Sequence, residues 1–362
     1  MTNVDMNKRR TDARRTSPVD GIGQRPIGQR GRWSRHLETI HRRRELTLVV
    51  ALAVVVGVMT SQNASFIHLT NIQNILTTAS VLAIVVVGET CVVVTRNIDL
   101  SVGSNVGLSA FAAAEYLKAH PHASLIVIVL IGTAVGLALG LVNACLVTIG
   151  RVPSIVATLG TLYVFRGLDF IYAGNGKQIN PSDLPQSFID FGNRTLLGVP
   201  ELTWIALVVV LAFALALSFL QGGRQLYAIG SNPDAARLAG IRVDLHVFVT
   251  FCISGLLCGI AGVLWAAEYA SVDPQSATGF ELLVVAAVVV GGVNIFGGSG
   301  RVVGAALGAL ILTSIQAGLT LLKISQFWPE AIYGAAILLA VALDAFLGRR
   351  VAAAIAAGRR RT

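Results

Sequence analysis

A chain of 362 residues that is 54% hydrophobic and only 13% charged is not a soluble globular domain, because it lacks the polar surface to cover its own apolar mass. Its net charge of +9 sits at the two ends: residues 1–45 hold 12 Lys/Arg against 5 Asp/Glu, and five more arginines follow from Arg349, leaving a net −3 on the body. Basic ends on an apolar body match inside-facing termini beside anionic lipid and argue against nucleic acid as a partner.

In hydrocarbon a backbone must satisfy its own hydrogen bonds, so the apolar runs are expected as helices and the fold class as an all-α polytopic membrane bundle. The leader, residues 1–45, is rich in Arg, Gly, Pro and Gln and is expected to be disordered and cytoplasmic. It is too long and polar for a cleavable signal peptide. Ten spans follow, approximately Glu45–Thr60, Asn74–Val94, Ser101–Leu117, Ser124–Ile149, Val152–Tyr172, Thr203–Leu220, Leu245–Ala267, Glu281–Phe296, Val302–Leu322 and Pro329–Leu347. With both termini cytoplasmic, the inside loops carry Arg96, Arg151, Arg224, Arg237, Arg242 and Arg301, while the outside loops carry only Lys118, Lys177, Arg194 and Lys323. The expected organisation is therefore a leader at 1–45, a membrane domain at 46–347 with a cytoplasmic loop at 221–244, and a basic cytoplasmic tail at 348–362.

Polar residues inside the spans mark the positions worth attention. Glu89 lies in mid-span, where an acid faces the bundle interior as a structural hydrogen bond or as part of a solute path. Next comes Asn97-Ile-Asp99-Leu-Ser101-Val-Gly103-Ser104, in which Asp99 or Ser101 can cap the following helix or line a path beside broken backbone. Val152-Pro-Ser-Ile-Val-Ala-Thr-Leu-Gly-Thr161 leads to Arg166 and Asp169, which are three apart on one helix face; they are expected to neutralise each other or to face the interior. Glycines four apart (Gly132, Gly136 and Gly140; Gly255 and Gly259; Gly300, Gly304 and Gly308) predict close helix packing. The run Val85–Gly88 recurs at Val288–Gly291, which allows an internal repeat.

The polar interlude QGGRQLYAIGSNPDAARLAGIRVDL, Gln221 to Leu245, predicts a short helix with marked ends. Asn232 is an N-cap, Pro233 suits the first helical position, Asp234 meets the positive end of the helix dipole and Gly240 stops the helix. So short a helix depends on docking for its stability. The last motif, Gly291-Gly-Val-Asn294-Ile-Phe-Gly297-Gly-Ser-Gly300-Arg301, lacks the Lys-Ser/Thr of a phosphate loop, which excludes an ATP site of that kind. Cys91, Cys145, Cys252 and Cys258 stand in apolar runs without ligand spacing, and His120 and His122 have no further donors, so neither a metal nor a catalytic residue is expected.

Taken together, the segment from Tyr227 to Val243, the Ile98-Asp99-Leu-Ser101-Val-Gly-Ser104 run, the Pro153 to Gly160 run and the paired glycine clusters at 291–300 resemble the sugar-type ABC importer permeases. These carry ribose, xylose, arabinose, rhamnose or autoinducer-2. The resemblance covers Asn74 to Asp344, and Arg96-Asn97 stands where a pair of glycines is usual. It implies a monosaccharide permease of the bacterial inner membrane that works by alternating access and does no chemistry. The implied partners are ABC ATPase subunits, a second permease copy or paralogue, a periplasmic sugar-binding protein and membrane lipid. This chain would bind no cofactor, ATP and Mg being used by the ATPase. The same resemblance makes Ser231, Asn232, Pro233, Asp234, Ala235, Ala236, Arg237 and Gly240 the ATPase contact, where Ala236→Arg is expected to abolish uptake without harming insertion. It makes Glu89, Asn97, Asp99, Ser101, Arg166, Asp169 and Asn294 candidates for the solute path. A permease for branched-chain amino acids or nucleosides shares this architecture, and an ion-coupled secondary transporter is the other alternative.

Overall fold

The computed structural model describes residues 30–174, 177–325, 327–339 and 342, with side chains from Glu45 onward. The chain divides into two compact units, Met1–Arg44 and Glu45–Thr362. In the first, residues 30–44 are helical; residues 1–29 of the expected leader, and the whole basic tail, lie outside the described residues.

The second unit is a helix bundle, and each of the ten expected spans falls on a helix. These are α1 (Arg30–Gln62, apolar from Glu45), α2 (Leu69–Val94), α3 (Val102–Ala119), α4 (Leu125–Thr148), α5 (Ser154–Tyr172), α7 (Glu201–Phe219), α10 (Val243–Tyr269), α11 (Phe280–Val290) and α12 (Val302–Leu321). The tenth, α13, is helical over residues 328–339, and the rest of that span lies outside the described residues. Seven of the described helices are long and apolar enough to cross a bilayer. The eighth expected span ends early, because the chain turns at Gly291, the C-cap of α11, rather than at Phe296. With 11 residues, α11 is about half the length a lone span needs, and most of it, Leu283 to Val289 included, is buried, with α2, α3 and α12 packed against it. Between the spans lie the short α6 (Gln186–Asn193), a hairpin of β1 (Thr195–Leu196) and β2 (Val199–Pro200), and the two polar helices α8 (Gln221–Ser231) and α9 (Pro233–Leu238).

α2 and α10 form the centre. From Ala79 to Val94 every residue of α2 is buried, whereas α4, α5 and α7 expose Ile126, Leu130, Tyr163, Ile171, Val208 and Leu215 on their outer faces, as helices facing lipid do. The glycine spacing explains the tightest contact. A Cβ on Gly140 would lie 2.7 Å from the Phe251 carbonyl oxygen and 2.8 Å from Gly255 Cα, so α4 and α10 meet backbone to backbone. In the third set Gly304 and Gly308 pack likewise on the end of α11, but Gly300 lies before α12 in a turn with φ +140. The two Val-Val-Val-Gly runs occupy different places on their helices, one inside α2 and the other at the end of α11.

Candidate functional site

Three polar assemblies follow one another along the bundle. The first is the junction at the end that carries α8 and α9. As expected, Asn232 caps α9, its Oδ1 accepting from the N–H groups of Asp234 and Ala235 at 3.1 Å. Gly240, with φ +81, closes the helix through Gly240 N–H to Arg237 O and Ile241 N–H to Ala236 O, both 3.0 Å. The polar interlude makes two helices rather than one, since α8 precedes the cap and joins α9 at Asn232. Asp234 pairs with Arg237 at 3.3 Å, and Arg237 reaches Asp244 at 3.5 Å. Ser231, Asn232, Asp234, Ala235, Arg237 and Gly240 are exposed and Pro233 is half-buried.

Ala236 corrects the expectation. It is 4% exposed and packs in an apolar cluster with Val92, Ala144, Ile229, Val243 and Phe251 of its own chain, so it is not free to touch a partner. Helical periodicity decides this: position 236 points inward, and positions 235 and 238 point outward. Leu238 is 91% exposed, an apolar tip that sequence reading passed over.

Two turns hold this junction. Arg96, at φ +69 just past α2, donates from Nε to Gly230 O and from Nη2 to Ser231 O at 2.7 Å, placing a cation on the carbonyl end of α8. The left-handed backbone explains why glycine suits this position. Here the side-chain tie offsets the strain that arginine adds. The glycine turn at 291–300 closes the other side, with Gly298 N–H donating to Val94 O at 2.9 Å. Tyr227 OH donates to Gly300 O at 3.0 Å, and burial pushes its pKa up to about 12. Asn294 shapes that turn by accepting from Phe296 N–H at 2.8 Å, and Asn97 donates to Thr95. Both shape turns at this junction. Arg96→Ala is expected to lower the melting temperature in detergent by removing hydrogen bonds worth about 1 kcal/mol while keeping the backbone strain. Arg96→Gly, which relieves the strain, should fall between Ala and the parent.

The second assembly is a buried network in the middle of the bundle. Glu89 (0% exposed) accepts from Asp99 N–H at 3.1 Å. Asp99 (1% exposed) accepts from Ser101 N–H at 3.0 Å, Ser101 Oγ at 2.7 Å and Ser254 Oγ at 3.3 Å. Asn143 donates to Ser101 Oγ at 2.7 Å and accepts from Thr161 Oγ1 at 2.7 Å. The turn before α3 is pinned to α5 by Leu100 N–H donating to Thr158 Oγ1 at 3.0 Å. Ser101 is the N-cap residue of α3, but its hydroxyl serves Asp99 instead of the helix. Sequence reading found Glu89, Asp99 and Ser101 and missed Asn143 and Ser254. The available signal was an amide inside the apolar α4 and a hydroxyl one residue before the packing Gly255. The network ties α2, α3, α4, α5 and α10 together.

The third assembly lies on the other half of α5. Arg166 and Asp169 form no salt bridge, but Asp169 faces the interior, the other expected outcome, at 0% exposed; Arg166 Nη1 donates to Pro274 O at 2.9 Å and Ser276 O at 2.6 Å in the α10–α11 loop. Both Asp169 oxygens are buried and without a hydrogen-bond partner, as is Glu281 Oε2. Three apart on a helix brings Cβ atoms together, but the loop carbonyls capture the guanidinium first. Gly107 of α3 makes the space, since a Cβ there would lie 3.0 Å from Arg166 Nη1. Among the described residues no group of three or more His, Cys, Asp or Glu could hold a metal ion.

Comparison with known proteins bears on the whole of this bundle. The family described as "Branched-chain amino acid transport system / permease component" matches residues 71–341. The ribose import permease protein RbsC of Escherichia coli (strain K12) is 38% identical over 298 residues, covering 82% of this chain and 92% of that protein. The autoinducer 2 import system permease proteins LsrC of Photorhabdus luminescens and of Enterobacter sp. (strain 638) are 34% and 36% identical over 308 residues, covering 85% of this chain and 92% and 88% of theirs. No solved structure matches. The expected resemblance therefore holds over the membrane region, and the chain belongs to this permease family as a multi-pass membrane transport subunit rather than an enzyme.

Proposed function

We propose that this chain is the transmembrane permease subunit of an ATP-driven importer that carries a monosaccharide across a bacterial inner membrane by alternating access. The observation that carries the reading is the α8–α9 junction: a capped helix locked to the bundle on its Ala236 side and presenting Ala235 and the 91% exposed Leu238 on the other. An exposed apolar tip on a rigid polar mount is suited to a groove in a partner. ATPase subunits dock there and hydrolyse ATP with Mg, and this chain holds no cofactor. A second permease copy or paralogue completes the passage, and a periplasmic sugar-binding protein delivers the solute. Relatives named for ribose and autoinducer-2 import favour a sugar over the branched-chain amino acid in the family's description.

Closure of the ATPases pulls α9, and Arg96 passes the movement from the end of α8 into the turn before Asp99. The buried network then acts as a rigid transmission between junction and bundle, a two-ended connection of the kind that coupling requires.

The test is purification of the tagged chain from its own membranes beside Leu238→Asp, with bound proteins identified by mass spectrometry and uptake measured in cells. An ATPase is expected with the parent, and the variant should lose it and drop uptake tenfold or more while its abundance holds, since Leu238 contacts little of its own chain. An ATPase retained by Leu238→Asp sinks the docking site. No ATPase with either brings forward an ion-coupled transporter.

A further inference from the structure

The ends of α2 and α10 remote from the coupling helices frame a cleft that none of the three assemblies uses. Two cavities, of about 470 Å³ and about 440 Å³, adjoin there and share Asn74, Thr78 and Tyr269 in their walls. Each falls within the ~300–1,000 Å³ typical of small-molecule pockets. Asn74 and Thr78 are one turn apart on α2, Glu268 and Tyr269 end α10, and Gln316 faces them from α12. The large exposed side chains elsewhere on the spans are mostly aliphatic and aromatic, so a cleft walled by amides, hydroxyls and a carboxylate stands apart from them as a place for a polar ligand.

The chemistry of the wall is specific. Thr78 Oγ1 donates to Glu268 Oε1 at 2.6 Å, and Glu268 Oε2 is buried with no partner, an acceptor waiting for a donor. Tyr269 is 45% exposed and backed by Trp265, with ring centroids 4.6 Å apart, which makes a supported aromatic face. Gln316 spends its oxygen on Tyr333 OH at 3.2 Å and keeps its NH₂ group as a donor. Asn74 is exposed and unpaired among the described residues. A polyol offers hydroxyls that both donate and accept and a C–H face that stacks on an aromatic ring, so it can satisfy every one of these groups at once.

We infer that this cleft is a receiving site for a monosaccharide, holding the sugar between its release from the binding protein and its passage through the bundle. The inference rests on the sugar reading above and adds where the sugar first meets this chain. The site is expected to be weak, since tight capture would slow onward movement.

The test is uptake of radiolabelled D-ribose, D-xylose, L-arabinose and L-rhamnose by cells expressing the intact importer with the parent chain, Asn74→Trp, Tyr269→Ala or Glu268→Gln. Membrane abundance and the ATP hydrolysis of the purified complex are measured alongside. Asn74→Trp fills the cleft from an exposed position, so it folds, and it should cut uptake of the carried sugar roughly tenfold or more, the scale of one lost good contact. Tyr269→Ala and Glu268→Gln should lower uptake several-fold at unchanged basal ATP hydrolysis. Parent-like uptake by Asn74→Trp at equal abundance overturns the receiving site while leaving the importer reading in place. A parent that imports none of the sugars overturns the monosaccharide reading itself.

Discussion

Replacing Asp99 with alanine is expected to leave little folded protein in the membrane, because one side chain collects partners from three elements, the start of α3, α4 and α10. Its oxygens accept from the Ser101 N–H and hydroxyl and from the Ser254 hydroxyl, and Asn143 depends on the same cluster. At 1% exposure no bulk water replaces it. Each donor left unsatisfied costs about 1–3 kcal/mol, so the loss should reach roughly 3 kcal/mol or more, a large part of the stability of any domain. Asp99→Asn keeps one acceptor oxygen and should lose much less. Fluorescence-detected size exclusion and thermal unfolding in mild detergent check both variants. An Asp99→Ala chain that melts with the parent would show that the network is dispensable to the fold.

Gly136→Val is the second change with a large expected effect. A Cβ at 136 would lie 2.5 Å from both Gly259 N and Gly259 Cα, closer than atoms can approach, and the obstacle is backbone that cannot rotate away. Helices α4 and α10 would have to separate, which would also disturb the 3.2 Å bond from Asn105 Nδ2 to Gly136 O. Overpacking of this kind costs about 1–3 kcal/mol where side chains can yield, and here they cannot, so the upper end or beyond is expected. Gly160→Val supplies the control. A Cβ at 160 meets nothing within 4 Å, so the same substitution there should leave the melting temperature of the isolated chain unchanged. Equal losses at both positions would mean that valine acts on the helix and not on the contact.

These variants separate two kinds of information. Glycine spacing announced that helices would meet closely, since a missing side chain repeated every four residues lies on one face whatever the neighbours. It did not say which helices meet: the partner of Gly136 is more than a hundred residues away, and only folding brings Gly255 and Gly259 opposite it. The cap of α9 was equally legible, because Asn232, Pro233 and Gly240 act on their own backbone. The inward turn of Ala236 was not, because the face a two-turn helix presents depends on what it rests against.

Composition and periodicity alone determined the class of molecule, an all-α membrane bundle with its helices in order and a capped polar helix between the sixth and seventh spans. Those features arise from local rules: hydrocarbon demands helices about 20 residues long, and end signals act within a turn. Tertiary structure decided the rest. It set Asp99 against Glu89 and Ser254, sent Arg166 to the carbonyls of a distant loop in preference to Asp169, stopped α11 at Gly291, and left Glu268 Oε2 without a partner in a polar cleft. Each of these depends on which residues lie across a helix interface, and a polar group inside a bundle takes whichever partner packing brings within 3 Å, since the cost of having none exceeds any preference for a neighbour in sequence.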